Sequence, residues 1–214
     1  MRTFNIYDFW FIVEATQWTI LLSLIAFIGG GIIGLFVALG RVSEKSWLRV
    51  SMRVFIEFFR GTPLLLQLFL VFFGLPVLGF DINIWYAASI ALVLNSAAFL
   101  AEIWRGCIEA VPKGQSEAAS ALGLTYSQKM KDVVLPQAMK ISIPPTVGYL
   151  VQIIKATSLT SIIGFIELTR AGQIVNNSTF QPLIIFSLVA GLYFILCWPL
   201  SFYAGKLERR MGAR

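Results

Sequence analysis

The sequence predicts an all-α integral membrane protein with five transmembrane helices. Of its 214 residues, 57% are hydrophobic and only 13% are charged, against roughly 25% charged residues in soluble domains. Five apolar runs approach the roughly 20 residues that an α-helix needs to cross a hydrocarbon core of about 30 Å. We place them at about residues 18–40, 61–80, 82–104, 141–166 and 182–204. Each run is continuously apolar rather than alternating, which favours helices over the strands of a β-barrel.

The first run is expected to be an uncleaved span. No charge lies between Glu14 and Arg41, whereas residues 1–17 hold Asp8 and Glu14 and lack a basic segment. A secretory signal would show a basic start and a shorter apolar region. Aromatic side chains are frequent over residues 7–11, which we expect at the outer membrane interface. Gly30 and Gly34 have the spacing of closely packed helices, and a hinge is the less favoured alternative.

The basic residues predict the orientation. Connections 41–60 and 105–140 hold five Lys and Arg each, and the tail after the fifth run holds four. The opposite side has only Arg2 and Arg170, and Lys155 falls inside the fourth run. Basic loops stay on the cytoplasmic side, so the N-terminus should face out and the C-terminus in. The net charge of +6 is thereby explained by orientation and by contact with anionic lipid, without nucleic-acid binding.

The sequence lacks the residues that several kinds of catalytic and metal-binding site require. Histidine is absent, and the two cysteines, Cys107 and Cys197, are far apart. We therefore expect no metal site, and no catalytic residues of a histidine-based nucleophile system. The chain also has no GxxxxGK[ST] phosphate-binding loop. We expect a chain that is not itself an enzyme and carries no cofactor. An intramembrane enzyme is an improbable alternative.

The connection at about 105–140 is the one large loop on the inner side, and it predicts two short helices. Pro112 and Gly114 mark a turn, after which a run of helix formers ends at Gly123. Thr125 and Gln128 form a capping-box pattern that opens a second helix, and we expect Pro136 to end it. The apolar residues of both helices must pack on the inner ends of the spans or on a partner. They are Ala118, Ala121, Leu122, Val133 and Val134.

This connection resembles the EAA loop of bacterial ABC importer permeases. The matching residues are Glu117-Ala-Ala, Gly123 six residues after the glutamate, and Leu135-Pro136. Two flanking motifs resemble the polar amino acid branch of those permeases, which serves histidine, glutamine, glutamate, arginine and opines. They are Phe59-Arg-Gly-Thr-Pro63 and the run Asn95-Ser-Ala-Ala-Phe-Leu-Ala-Glu-Ile-Trp-Arg-Gly106. The resemblance covers essentially the whole chain, so residues 1–214 are interpreted as a single permease domain.

The resemblance implies a type I ABC importer permease in a bacterial inner membrane. Its EAA loop would be a coupling helix that docks in a separate ATPase subunit, which carries ATP and Mg. The implied docking residues are Glu117, Ala118, Ala119 and Gly123, although Glu117 could merely stabilise the start of its own helix. The other implied partners are a second permease, identical or similar, and an extracytoplasmic binding protein that delivers the amino acid. The alternative function is a secondary transporter or channel that ATP does not drive.

A substrate path can be proposed from polar residues at membrane depth, which are costly there. Asn95, Phe99 and Glu102 share one helix face. In the fourth run, Lys155 precedes a polar stretch that includes Thr157 and Ser158 and suggests a locally broken or cavity-facing helix. These six residues form the hypothetical path. Three of them have a plainer reading: an Asn95 hydrogen bond between helices, a Glu102–Arg105 pair, and a Lys155 that extends to the membrane surface. Relatives often have Asp after the lysine where this chain has Ala156, which weakens the case for a cationic substrate.

Overall fold

The computed structural model describes residues 2–212, and all regular secondary structure in that range is helical. We number the helices in chain order. They are α1 (Ile6–Arg41), α2 (Ser46–Gly61), α3 (Leu64–Val77), α4 (Ile84–Glu109), α5 (Lys113–Ala121), α6 (Tyr126–Ile163), α7 (Leu168–Thr179) and α8 (Pro182–Gly212). Helices α1, α4, α6 and α8 are long and apolar enough to span a membrane, and the pair α2 and α3 supplies a fifth if it counts as one span. The predicted all-helical class is confirmed, and the described residues hold four or five candidate spans where five were predicted.

The second predicted run differs most from the structure. We expected one span over 61–80, but the connection before it holds the 16-residue helix α2, which meets α3 at 101°. The bend falls at Gly61-Thr62-Pro63. Thr62 is extended, with φ −107° and ψ 139°, because the ring of a following proline disfavours helical backbone at the preceding residue. The same motif that carries the family resemblance therefore turns the chain.

Helix α1 begins twelve residues before the predicted span. Asn5 caps it by accepting hydrogen bonds from the backbone N–H groups of Tyr7 and Asp8, at 2.9 and 3.1 Å. The Asp8 carboxylate in turn accepts a hydrogen bond from the backbone N–H of Asn5 at 3.1 Å, which completes a capping box. The aromatic stretch over 7–11 is therefore the first part of a helix of 36 residues, about 54 Å long.

Close packing of α1 against α4 forms the centre of the bundle. A Cβ atom on Gly30 would lie 2.6 Å from the Cβ of Ser96, and one on Gly34 would lie 2.9 Å from the carbonyl oxygen of Ala97. Both distances are far inside van der Waals contact, so only glycine permits this approach. The structure confirms the packing interpretation of the Gly30 and Gly34 spacing.

Helix α6 corrects our expectation that Pro136 ends a short helix. The chain is helical from Tyr126 without interruption, and a π-helical segment over Lys129–Val134 leads into α-helix over Leu135–Ala156. The widened π-turn admits Pro136, which has no N–H to give to the preceding turn. At its other end α6 tightens into a 3-10 helix over Thr157–Ile163, followed by Gly164 with φ 90°. The irregularity predicted after Lys155 is therefore a tightening of α6 and not a break in it.

Candidate functional site

Helix α5 ends in a well-formed cap, and a second cap opens α6 directly after it. Gly123 has φ 74°, and its N–H donates to the carbonyl of Ser120 at 3.0 Å, while the N–H of Leu124 donates to that of Ala119 at 3.1 Å. These two bonds satisfy carbonyls that the end of a helix leaves free. Two residues after Gly123, Thr125 begins the capping box with Gln128 that was predicted for the start of α6. The link between α5 and α6 is therefore short and locally fixed. We call residues 113–125 the coupling segment.

The faces of α5 differ in what they contact. Ala119 is buried, at 3% exposure, and α5 packs on the π-helical segment of α6. Leu122 is 80% exposed, and Glu117, Ala118 and Gly123 are also exposed. In the described residues Glu117 makes no side-chain hydrogen bond or ion pair. Of the four predicted docking residues, three face outward, and Ala119 instead holds the helix on α6.

A second candidate region surrounds Glu102 on α4. Its carboxylate lies 2.8 Å from the Arg105 guanidinium and 3.4 Å from that of Arg60. Arg60 also lies over the ring of Phe99, 5.4 Å from its centre, and Phe99 stacks on Tyr149 of α6 with ring centres 5.5 Å apart. The Glu102–Arg105 pair that the sequence offered as the plainer reading is therefore present. The second arginine lies at the end of α2, so Glu102 joins α2 to α4.

Asn95 and Gln67 close the bend between α2 and α3. The amide nitrogen of Gln67 donates to the carbonyls of Phe59 and Thr62, at 2.8 and 3.0 Å. Asn95 donates to the same Phe59 carbonyl at 3.3 Å and to the Gln67 side-chain oxygen at 3.2 Å. A bend exposes carbonyls that a straight helix would satisfy, and buried carbonyls need donors. Sequence reasoning missed Gln67, although a glutamine inside the apolar run 61–80 was a visible signal.

The structure places the remaining path residues apart from this hydrogen-bond network. Within residues 2–212, the exposed side chain of Lys155 makes no hydrogen bond or ion pair. Thr157 is fully buried and donates to the carbonyl of Ile154 at 2.8 Å. Ser158 donates to the carbonyl of Lys155 at 2.7 Å. Both hydroxyls thus bond to backbone carbonyls where α6 tightens into a 3-10 helix. Among the described residues, no direct polar contact joins the Lys155–Ser158 stretch to the α4 face at Asn95 and Glu102.

Glu167 is a buried carboxylate that sequence reasoning did not single out. It caps α7 by accepting from the N–H groups of Thr169 and Arg170, both at 2.9 Å, and it accepts from the hydroxyl of Tyr193 on α8 at 2.8 Å. The neighbouring Leu168 N–H donates to the Thr19 hydroxyl of α1 at 3.1 Å. Burial raises the pKa of Glu167. This cluster ties α1, α7 and α8 together at the end of the bundle opposite the coupling segment.

Comparison with known proteins identifies the family. Residues 30–213 match the family model described as binding-protein-dependent transport system inner membrane component. The chain is 38% identical over 203 residues to the probable amino-acid ABC transporter permease protein YckA of Bacillus subtilis, covering 95% of this chain and 90% of the relative. It is 39% identical over 202 residues to the putative glutamine transport system permease protein GlnP of Rickettsia conorii, covering 94% and 93%. The arginine transport system permease protein ArtQ of B. subtilis is 38% identical over 205 residues, covering 94% and 92%.

Solved structures of ABC transporters superpose closely on this chain. The crystal structure described as an amino acid ABC transporter with histidines superposes with a TM-score of 0.88 at 35% identity, over 94% of both chains. An inward-facing structure of the MetNI methionine ABC transporter superposes with a TM-score of 0.81 at 20% identity, over 97% of this chain and 99% of the other, which shows the shared fold. The chain belongs to the binding-protein-dependent transport system inner membrane components, and among them to the amino-acid ABC transporter permeases.

Proposed function

We propose that this chain is one of two permease subunits of an ATP-driven importer for a polar amino acid in a bacterial inner membrane. The observation that carries the proposal is the match along nearly the whole chain, in sequence and in shape, to an amino acid ABC transporter. Relatives named for glutamine, arginine and cystine have 36–39% identity to it. That spread supports a polar amino acid as the substrate class and leaves the particular amino acid open.

The basic residues support an inner location for the coupling segment. The Tyr126 hydroxyl at the start of α6 donates to the carbonyl of Val42, just after α1, at 2.8 Å. Arg60 pairs with Glu102 near the end of α4. These contacts bring both basic connections to one end of the bundle, which the positive-inside rule assigns to the cytoplasm. The N-terminus then faces out and the C-terminus in.

The exposed face of α5 is the proposed docking site for a separate ATPase subunit that carries ATP and Mg. Glu117 and the small side chain of Ala118 leave room for a close approach of a partner, and Leu122 offers an apolar contact at 80% exposure. Truncating or charging an exposed apolar residue at the centre of an interface costs about 1–4 kcal/mol of binding. The inward packing of Ala119 keeps this face in place.

The docking surface is tested by Leu122→Glu. We expect this variant to lose co-purification with the ATPase subunit, because it buries an unpaired charge in the contact. Ala110→Glu is the matched control, since Ala110 is exposed in the same connection but precedes α5, and it should retain the subunit. Equal retention by both variants would place the ATPase elsewhere.

Energy coupling is tested by transport in vesicles that hold the whole complex. Uptake of the labelled amino acid should require ATP inside and the binding protein outside. Five spans enclose little space for a gated polar route, so a second permease, identical or similar, completes the proposed pathway. Uptake driven by an ion gradient with no ATP would instead support a secondary transporter.

The substrate path is proposed to run between the α4 face at Asn95, Phe99 and Glu102 and the end of α6 at Lys155, Thr157 and Ser158. Lys155 is exposed and unpaired within residues 2–212, so its ammonium group is available to a substrate α-carboxylate. Lys155→Ala should lower the uptake rate at least tenfold while ATPase co-purification persists. Lys140→Ala, an exposed lysine near the start of α6, should transport normally. Normal uptake by Lys155→Ala would remove this residue from the path.

A further inference from the structure

A groove of about 630 Å³ opens at the end of α1, between α2 and the start of α6. We call it the α1-end groove. Its walls are almost entirely apolar, and they include Ile33, Phe36, Val37, Met52, Tyr126 and Met130. The Tyr126–Val42 hydrogen bond joins two of these walls. A volume of this size falls within the range of small-molecule sites. The docking and transport roles proposed above leave it unused.

The rim of the groove is basic. Residues 41–49 hold Arg41, Lys45 and Arg49 against one acid, Glu44. The Arg49 guanidinium donates to the carbonyl of Ser43 at 3.3 Å, and Ser43 lines the groove. From the other wall, the Lys129 ammonium lies 5.7 Å from the ring centre of Tyr126. Cations from two separate segments therefore border one apolar cleft.

The groove also continues onto exposed apolar side chains. Phe36 is 70% exposed on α1, five residues before Arg41 at the basic end of that helix. On α2, Trp47 is 68% exposed, and tryptophan is enriched where hydrocarbon meets headgroups. An occupant must therefore be apolar toward the hydrocarbon and anionic toward the rim.

We propose that the α1-end groove binds one acyl chain of an anionic phospholipid of the inner leaflet, with the headgroup on the basic rim. The charge pattern argues against a second copy of this chain as the occupant. A two-fold contact would set the rim against its own equivalent, and like charges facing each other oppose association. The inference rests on the proposed function for the inner location of this end of the bundle.

The groove lies next to the coupling segment, so a bound lipid can affect the position of that segment. Tyr126, Ser127 and Met130 line the groove, and Tyr126 follows directly after the capped link from α5. A lipid held there contacts both the end of α1 and the helix that continues from the coupling segment. Its loss should loosen the position of α5 relative to the membrane.

Native mass spectrometry of the permease–ATPase complex tests the proposal. The complex is released from vesicles of phosphatidylglycerol and phosphatidylethanolamine in equal amounts with identical acyl chains. We expect phosphatidylglycerol to be retained preferentially, and the double variant Lys45→Gln, Lys129→Gln to lower its retention about fivefold for each charge removed. The control Lys206→Gln, Arg209→Gln removes two charges from the end of α8 and should leave retention unchanged. Equal retention of both lipids, or equal loss in the control, would overturn the proposal.

A space-filling variant tests the groove separately from its charge. Ser127 is exposed and lines the groove, so Ser127→Trp should fold and should reduce retention of phosphatidylglycerol by occupying the cleft. Unchanged retention would assign the lipid to the outer surface and refute the groove. Cross-linking of Ser127→Cys to a second permease would also refute it. Retained phosphatidylglycerol with no ATPase bound would support the groove while counting against the proposed function, and the reverse result would count against the groove alone.

Discussion

Replacing Gly123 with alanine should weaken ATPase binding through backbone strain alone. Gly123 has φ 74°, and a Cβ atom there would meet nothing within 4 Å, so the substitution causes no steric clash. An L-residue in the left-handed region costs about 1–2 kcal/mol. If that strain shifts the coupling segment away from its docking geometry, the fraction of competent molecules falls about 5- to 30-fold. A titration of the purified permease with labelled ATPase subunit should show an increase in Kd of that size.

Gly114→Ala is the control that isolates the backbone effect. Gly114 lies in the first turn of the same helix, its added Cβ would also meet nothing within 4 Å, and its φ is not positive. Alanine favours helix over glycine by about 0.5–1 kcal/mol, so this variant should bind the ATPase as well as the parent. Gly123→Asn should lie between the two, because asparagine tolerates the left-handed region better than alanine. Equal affinity for Gly123→Ala and Gly114→Ala would refute the argument that this turn positions α5.

Three further predictions concern the bundle itself. Gly30→Ala should lower the free energy of unfolding by about 1–3 kcal/mol, seen as a lower Tm in detergent. Gly31→Ala is the control and should be nearly neutral, because its Cβ would lie 3.7 Å from the nearest atom. Equal Tm values for the two variants would contradict the close packing of α1 on α4. Gln67→Leu removes the side-chain donor to the Thr62 carbonyl and leaves the Phe59 carbonyl only its longer bond from Asn95, at a total cost of about 1–3 kcal/mol. The exposed Gln17→Leu serves as control, and unchanged thermal unfolding would count against the bend network. Since burial raises the pKa of Glu167, the folded state holds that proton more tightly than the unfolded state does. Lowering the pH from 8 to 5 should therefore stabilise the parent relative to Glu167→Gln, and parallel Tm curves would exclude this linkage.

Local features of the chain were predictable because neighbouring residues determine them. The apolar runs, the Gly123 cap, the Thr125 capping box and the irregular helix after Lys155 depend on residues within one or two helical turns. The Gly30 and Gly34 spacing predicted close packing for the same reason, since small residues on one helix face leave space whatever partner fills it. The family also followed from sequence, because its motifs occur in order along the whole chain.

The helix continues through Pro136, although the neighbouring residues predict that it ends there. Proline removes one backbone donor and crowds the preceding turn, which predicts a helix end. The chain instead forms a π-helical segment whose Val134 packs with Val111 and Ala138. Packing of α6 against the connection between α4 and α5 thus accompanies a helix that continues where the local preference of proline predicts an end.

The sequence by itself determined where the chain is apolar, where it is basic, which short segments begin and end helices, and to which family it belongs. Tertiary structure alone decided the angle of 101° at which α2 and α3 meet, that Gln67 and Asn95 satisfy the carbonyls freed there, and that Ala119 turns inward while Leu122 stays exposed. It also placed Glu167 in a fully buried cap and assembled the α1-end groove from three helices. Hydropathy and capping are properties of a few adjacent residues, whereas hydrogen bonds and cavities formed between distant segments depend on how whole helices are oriented.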